Sequence, residues 1–131
     1  MSSVLLVFLG GGIGSVLRYL VGLQAAKGFG PFTGAEGWPW GTFVVNVIGC
    51  FAMGLCFRLL PLPDVAVPNA RLLLMTGVLG GFTTFSAFAL DAAQLWIRQD
   101  IAGLSLYLAG TFISTLAGVA LGLAIGKALS A

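Results

Sequence analysis

The sequence predicts an all-α integral membrane protein with four transmembrane helices. Of its 131 residues, 59% are hydrophobic and only 8% charged. The mean hydropathy is +1.07, and the charges sit mostly between long apolar runs. A hydrocarbon core about 30 Å thick takes roughly 20 helical residues to cross. Four runs reach that length, at about residues 4–23, 40–60, 72–97 and 103–129, and they read as one four-helix domain over residues 1–131. A transmembrane barrel would instead show segments of roughly ten residues with alternating polarity. These runs are continuous and rich in Leu, Ala, Gly and Val.

Each run has its own punctuation. The first follows Met1, Ser2 and Ser3, with no basic leader and no small-residue cleavage site before Arg18, so it reads as a retained span rather than a signal peptide. Between the first two runs, residues 27–39 are rich in Gly and Pro, and Trp38 and Trp40 mark a membrane interface. Pro61, Pro63 and Pro68 break the chain before the third run, and Trp96 marks that run's far end. Asp91 is the one carboxylate that falls inside a run, and counting turns puts it near an interface.

Small residues form ladders. Gly110, Ser114, Gly118, Gly122 and Gly126 recur every fourth residue in the fourth run, and Gly10, Gly14 and Gly22 keep the same spacing in the first. Such ladders let helix backbones approach closely, within one bundle or between two copies. The basic residues divide evenly, with Arg58, Arg71 and Lys127 on one side and Arg18, Lys27 and Arg98 on the other. An even division leaves little orienting bias. It permits insertion both ways up and an antiparallel homodimer with its two-fold axis in the membrane plane.

The residue types exclude several chemistries. There is no histidine, and both cysteines, Cys50 and Cys56, lie in the second run, which rules out a Cys/His metal site in a single chain. Six residues are about 600° of helix, so the two thiols face different directions and read as unpaired packing residues. No general acid–base pair is available within the spans, which argues against an enzyme.

Polar side chains inside the spans are the candidates for function. Asn46 has Thr42 one turn before it on the same side. Its amide either serves a ligand or holds two helices together. In the fourth run Tyr107, Thr111 and Thr115 stand at i, i+4 and i+8 with Ser114 beside them, a stripe of hydroxyls. They either line a path or bond back to carbonyls of their own helix. Arg18, in the first run, can snorkel toward an interface.

The least regular stretch is GGFTTFSAF, residues 80–88. Gly77, Gly80 and Gly81 weaken the helix, and Thr83, Thr84 and Ser86 can bond the backbone groups it frees. This is the composition of a helix broken near its centre. Carbonyls released at such a break suit a hard cation such as Na⁺, whereas a half-helix N-terminus suits an anion. Phe85 and Phe88 follow on one face, and the positive edges of their rings can steady a small anion.

Three stretches, GGGIGSVLRY (10–19), GTFVVNVIGCFAMG (41–54) and GVLGGFTTFSAF (77–88), resemble the CrcB/Fluc family of fluoride channels in order and spacing. The resemblance spans all four helices. It implies a passive fluoride-selective channel of the bacterial inner membrane that exports fluoride from the cytoplasm and so lowers its toxicity. The expected assembly is an antiparallel dual-topology homodimer with two pores and a structural, non-transported Na⁺ held at its centre by the backbone carbonyls of Gly80 and Thr83 from each subunit. By the same resemblance Asn46, Thr42, Phe85, Phe88, Ser86, Tyr107, Thr111 and Thr115 line the fluoride pathway, and Arg18 is vestibular or structural. Ala87 replaces the second hydroxyl of the common TTFSTF pattern, and Val44 stands where relatives can carry threonine, so the polar track is thinner here.

Two other readings remain. A small dual-topology proton-coupled exporter needs a titratable group near the midplane, and Glu36 falls in a loop, leaving Asp91. A non-transporting structural subunit would use the ladders and hydroxyls only for packing.

Overall fold

The computed structural model describes residues 2–29, 37–60 and 69–130, leaving aside the side chains of residues 26 and 29. Residues 30–36, Glu36 among them, and Pro61, Pro63 and Pro68 lie outside the described residues. Helix α1 is Ser3–Phe29 and α2 is Trp40–Leu59. The third span divides into α3, residues 69–82, and α4, Phe85–Ile97. Helix α5 is Ile101–Leu129. Four helical stretches are long and apolar enough to cross a membrane: Ser3–Ala25, Trp40–Leu59, Asn69–Ile97 and Ile101–Leu129. Helix α1 continues to Phe29, eleven residues beyond Arg18.

Local chemistry explains the element ends. Asp100 begins α5 by accepting a hydrogen bond from the Gly103 N–H at 2.8 Å, the ordinary work of an N-cap aspartate. At the other end of α2, Arg71 donates to the carbonyls of Phe57 at 2.8 Å and Leu60 at 3.2 Å. It thereby satisfies last-turn carbonyls that have no helical partner. Its guanidinium carbon lies 5.2 Å from the centroid of the Phe57 ring, a cation–π distance. Within α3, residues Leu72–Leu79 form a π-helix, wound more widely than an α-helix, and the Gly80 N–H reaches back to the carbonyls of both Gly77 and Met75.

The helices pack in pairs that are not neighbours in sequence: α1 against α3, and α2 against α5. Lipid is as apolar as a leucine side chain, so close packing rather than water exclusion must join such helices. The glycine ladders serve this within the chain. A Cβ on Gly10 would sit 2.9 Å from the Cα of Gly77, and one on Gly14 would collide with the Val78 carbonyl oxygen. On the other pair, a Cβ on Gly122 would collide with the Phe51 carbonyl oxygen, and one on Gly54 with that of Val119. Gly110 is an exception, since nothing lies within 4 Å of a Cβ built there.

Replacing Gly14 by Val should therefore push α1 off α3 and cost about 1–3 kcal/mol, the usual range for overpacking. Gly12→Ala, whose Cβ meets nothing within 4 Å, should keep stability or raise it by up to about 1 kcal/mol through better helix propensity. Unfolding midpoints of the two variants in detergent test the pair.

Candidate functional site: the Thr83–Thr84 junction and its cavity

At the junction between α3 and α4 the backbone leaves the helix for two residues. Thr83 has φ −82° and ψ 157°, and Thr84 has φ −152° and ψ 119°, both extended. The side chain of Asn46, on α2, takes up both backbone groups of Thr84: Nδ2 donates to the Thr84 carbonyl at 3.0 Å, and Oδ1 accepts from the Thr84 N–H at 2.8 Å. One turn later on α2, Gly49 leaves room for this docking, because a Cβ there would collide with Cγ2 of Thr83. The Thr84 hydroxyl then accepts from the Ala87 N–H at 3.2 Å and so caps α4.

These bonds redirect two N–H groups. In a continuous helix the Gly80 carbonyl would receive the Thr84 N–H, and the Thr83 carbonyl the Ala87 N–H. Here the first goes to Asn46 and the second to the Thr84 hydroxyl. Gly80 and Thr83 thus carry carbonyl oxygens without their regular i+4 donors, the kind of ligand a hard monovalent cation takes. Among the described residues no group of three or more His, Cys, Asp or Glu side chains could hold a metal ion, so backbone oxygen is the donor set on offer.

Beside the junction lies a cavity of about 250 Å³, opening at the bundle surface, whose walls include Asn46, Thr83, Phe85, Phe88, Thr111 and Thr115. Residues from α2, the junction, α4 and α5 meet there. The Phe85 and Phe88 ring centroids are 5.6 Å apart with planes tilted by 42°. Not every polar group can serve a ligand. Thr115 donates to the Thr111 carbonyl at 2.8 Å, and Thr83 to the Leu79 carbonyl at 3.0 Å, so their single hydroxyl protons are taken by their own helices. Thr111 is only 6% exposed, and its hydroxyl oxygen has neither a partner nor accessible surface. The Asn46 amide has a second N–H beyond the one given to Thr84. The donor at hand in the cavity wall is therefore that amide.

Other predicted residues stand elsewhere. Tyr107, with no exposed surface, sits behind Phe88 with ring centroids 5.1 Å apart, and donates its hydroxyl to Oδ2 of Asp91 at 3.2 Å. Asp91 is 2% exposed and buried against this phenol, where its helix meets α5. Thr42 is buried beside the same pair, yet its hydroxyl makes no bond of acceptable geometry. Thr42 and Arg18 line a second cavity of about 310 Å³, and Thr84 borders both cavities. Ser86 is exposed and shares a hydrogen bond with the Thr84 hydroxyl at 3.2 Å. Gly80 is exposed on the outside of α3.

Three residues of this region gained a place only from the structure. Thr84 is the partner of Asn46 across 38 positions of sequence. Asp91 follows Phe88 by three, a spacing that already put it on the same face of a helix. Cys50 follows Asn46 by four and lines the cavity with it.

The sequence matches the family model described as CrcB-like protein, Camphor Resistance (CrcB), over residues 5–123. Curated relatives run the full length. A protein of Rhizobium etli named fluoride-specific ion channel FluC is 48% identical over 129 residues, covering 98% of this chain and 99% of the relative. Proteins of the same name from Rhizobium meliloti and Agrobacterium fabrum are 47% and 43% identical, covering 98% of this chain and 99% of each relative. With the family pattern matched over most of its length and relatives of this similarity along nearly all of it, the chain belongs to the CrcB family.

Proposed function

We propose that this chain is a passive, fluoride-selective channel of the bacterial inner membrane that exports fluoride from the cytoplasm and limits its toxicity. It works as an antiparallel dual-topology homodimer with two pores and a structural sodium ion. The observation that carries the reading is the cavity beside Thr84: Asn46, whose amide has an N–H to spare, stands in its wall with the rings of Phe85 and Phe88, and among the described residues no carboxylate lines it. Fluoride is compact and strongly hydrated, so a site that strips its water must offer hydrogen-bond donors in return. Neutral donors and ring edges attract an anion without trapping it. The relatives' shared name supports the choice of ion.

Two features favour a second copy. The cavity opens at the bundle surface, and Phe85, one of its walls, is 80% exposed, so a single chain leaves the pathway unclosed. The three-to-three division of basic residues suits a partner inserted the other way up. The released carbonyls of Gly80 and Thr83 fit sodium, which would be held by them from both copies and would neutralise their dipoles. Sodium present at about 100 times its dissociation constant should stabilise the assembly by about 2.7 kcal/mol. A higher unfolding temperature in NaCl than in N-methylglucamine chloride checks this, and equal temperatures would remove the sodium site.

The buried carboxylate of Asp91 favours one competing reading, a proton-coupled exporter. In the channel reading Asp91→Asn keeps fluoride flux down a fluoride gradient with no proton gradient applied. In the exporter reading that substitution abolishes transport.

The direct test is efflux from proteoliposomes recorded with a fluoride electrode, with chloride efflux measured in parallel. Fluoride flux should far exceed chloride flux, and equal rates would overturn the proposal. Phe85→Ile removes one set of ring edges and should lower flux by about tenfold if they are worth about 1.4 kcal/mol.

A further inference from the structure

Trp38 stands two residues before α2, where the chain enters its second span. A tryptophan at a membrane interface ordinarily keeps its ring in the apolar layer and turns its indole N–H toward water or headgroups. Trp38 does not: its Nε1 is buried without a hydrogen-bond partner among the described residues. Its polar end therefore does not set its place, and its ring contacts do. The ring lies edge-on to Tyr107 at 5.3 Å and 87°, and to Phe43 at 5.2 Å and 61°.

Two local features hold the ring there. Pro39, at φ −78° and ψ 63°, makes an inverse γ-turn that the Trp40 N–H closes onto the Trp38 carbonyl at 2.8 Å. One residue before Trp38, Nη2 of Arg98 donates to the Gly37 carbonyl at 3.1 Å, across 61 positions of sequence. Gly37, Asp91 and Arg98 border a gap of only about 10 Å³, space for one water at most, so this latch is drawn close against the bundle. Arg98 directly follows α4, the helix that carries Phe88 and Asp91. The contacts thus close a circuit. Phe88 meets Tyr107 at 5.1 Å, Tyr107 meets Trp38, and Arg98 ties the Trp38 segment back to the end of α4. Tyr107 has no exposed surface and its hydroxyl is engaged by Asp91, so its ring cannot turn without displacing Trp38 or Phe88.

We propose that Trp38, latched by Arg98, is a positioning residue for the ion pathway: through Tyr107 it sets the angle at which the Phe88 ring faces the cavity. The proposal deepens, and rests on, the reading of that cavity as the fluoride route. Ring angle matters there because the edge of an aromatic ring is positive and its face negative. A Phe88 ring free to turn presents its repulsive face to an anion for part of the time.

The test reads ring and flux separately, in the full chain reconstituted in lipid, with 4-fluorophenylalanine at position 88 as a ¹⁹F NMR probe. Trp38→Leu and Arg98→Ala should each shift that resonance and lower fluoride efflux about threefold to tenfold, the worth of one aromatic contact. Trp38→Phe keeps a ring on Tyr107, and Arg98→Lys keeps a donor for the Gly37 carbonyl, so each should bring both readings back toward the parent's. Trp96→Leu, at an exposed tryptophan outside the circuit, should change neither. The proposal is overturned if the resonance does not move in Trp38→Leu and Arg98→Ala, or if efflux per folded protein in those variants equals the parent's. Should the parent itself pass no fluoride, the pathway reading falls. A resonance that moves in both variants would still uphold the hold of Trp38 on Phe88, and one that stays would remove that as well.

Discussion

Everything at the centre of this molecule hangs on the pairing of one side-chain amide with one backbone peptide. In hydrocarbon a backbone N–H or C=O without a partner costs several kcal/mol, so a chain can leave the helix there only if something else satisfies it. Asn46 does this for Thr84, donating to its carbonyl and accepting from its N–H. An Asn side chain carries the same donor and acceptor as a peptide, so the contact imitates a short stretch of sheet. Both bonds also fix the orientation of the amide, since the flipped form would set donor against donor and acceptor against acceptor.

The rest of the junction follows from that pairing. With its N–H committed to Asn46, Thr84 stays extended, its hydroxyl becomes the cap of α4, and α4 starts in a new direction that sets Phe85 and Phe88 on the cavity wall. The same redirection strips Gly80 and Thr83 of their i+4 donors. One interaction thus prepares a wall of aromatic rings and a pair of freed carbonyls on neighbouring parts of the chain. Packing must hold α2 against the junction for this to last, and glycine supplies it twice: Gly49 admits the Thr83 methyl, and the α2–α5 crossing at Gly54 and Gly122 brings two backbones together. These small residues are engaged inside one chain.

Electrostatics gives the Tyr107–Asp91 pair its sense. A carboxylate facing an anion path would repel the ion strongly in a medium of low dielectric constant. Asp91 is turned instead to the Tyr107 hydroxyl, behind the Phe88 ring, and does not line the cavity. Trp38 packs edge-on against Tyr107 at 5.3 Å and 87°, which fixes the phenol from its other side. The carboxylate stays in the bundle, turned away from the cavity.

Composition alone determined that this chain carries four stretches able to cross a membrane, because transfer into hydrocarbon is a property each residue carries and a run of twenty adds up. The weak point in the third span was legible as well: Gly80, Gly81 and the threonines after them lower helix stability wherever the helix lies. The face shared by Phe85 and Phe88, and the one shared by Thr111 and Thr115, followed from helical period. Partners across the bundle were not legible. Nothing in the neighbourhood of Asn46 names Thr84, and nothing in that of Asp91 names Tyr107, 16 positions away. Those pairings depend on which helices meet and at what height, and that was decided by the fit of glycine-lined backbones, α1 on α3 and α2 on α5. Helix period could say only that a thiol or carboxylate faced one way; the tertiary structure decided what stood opposite, and so made Cys50 a cavity wall and Asp91 a buried group.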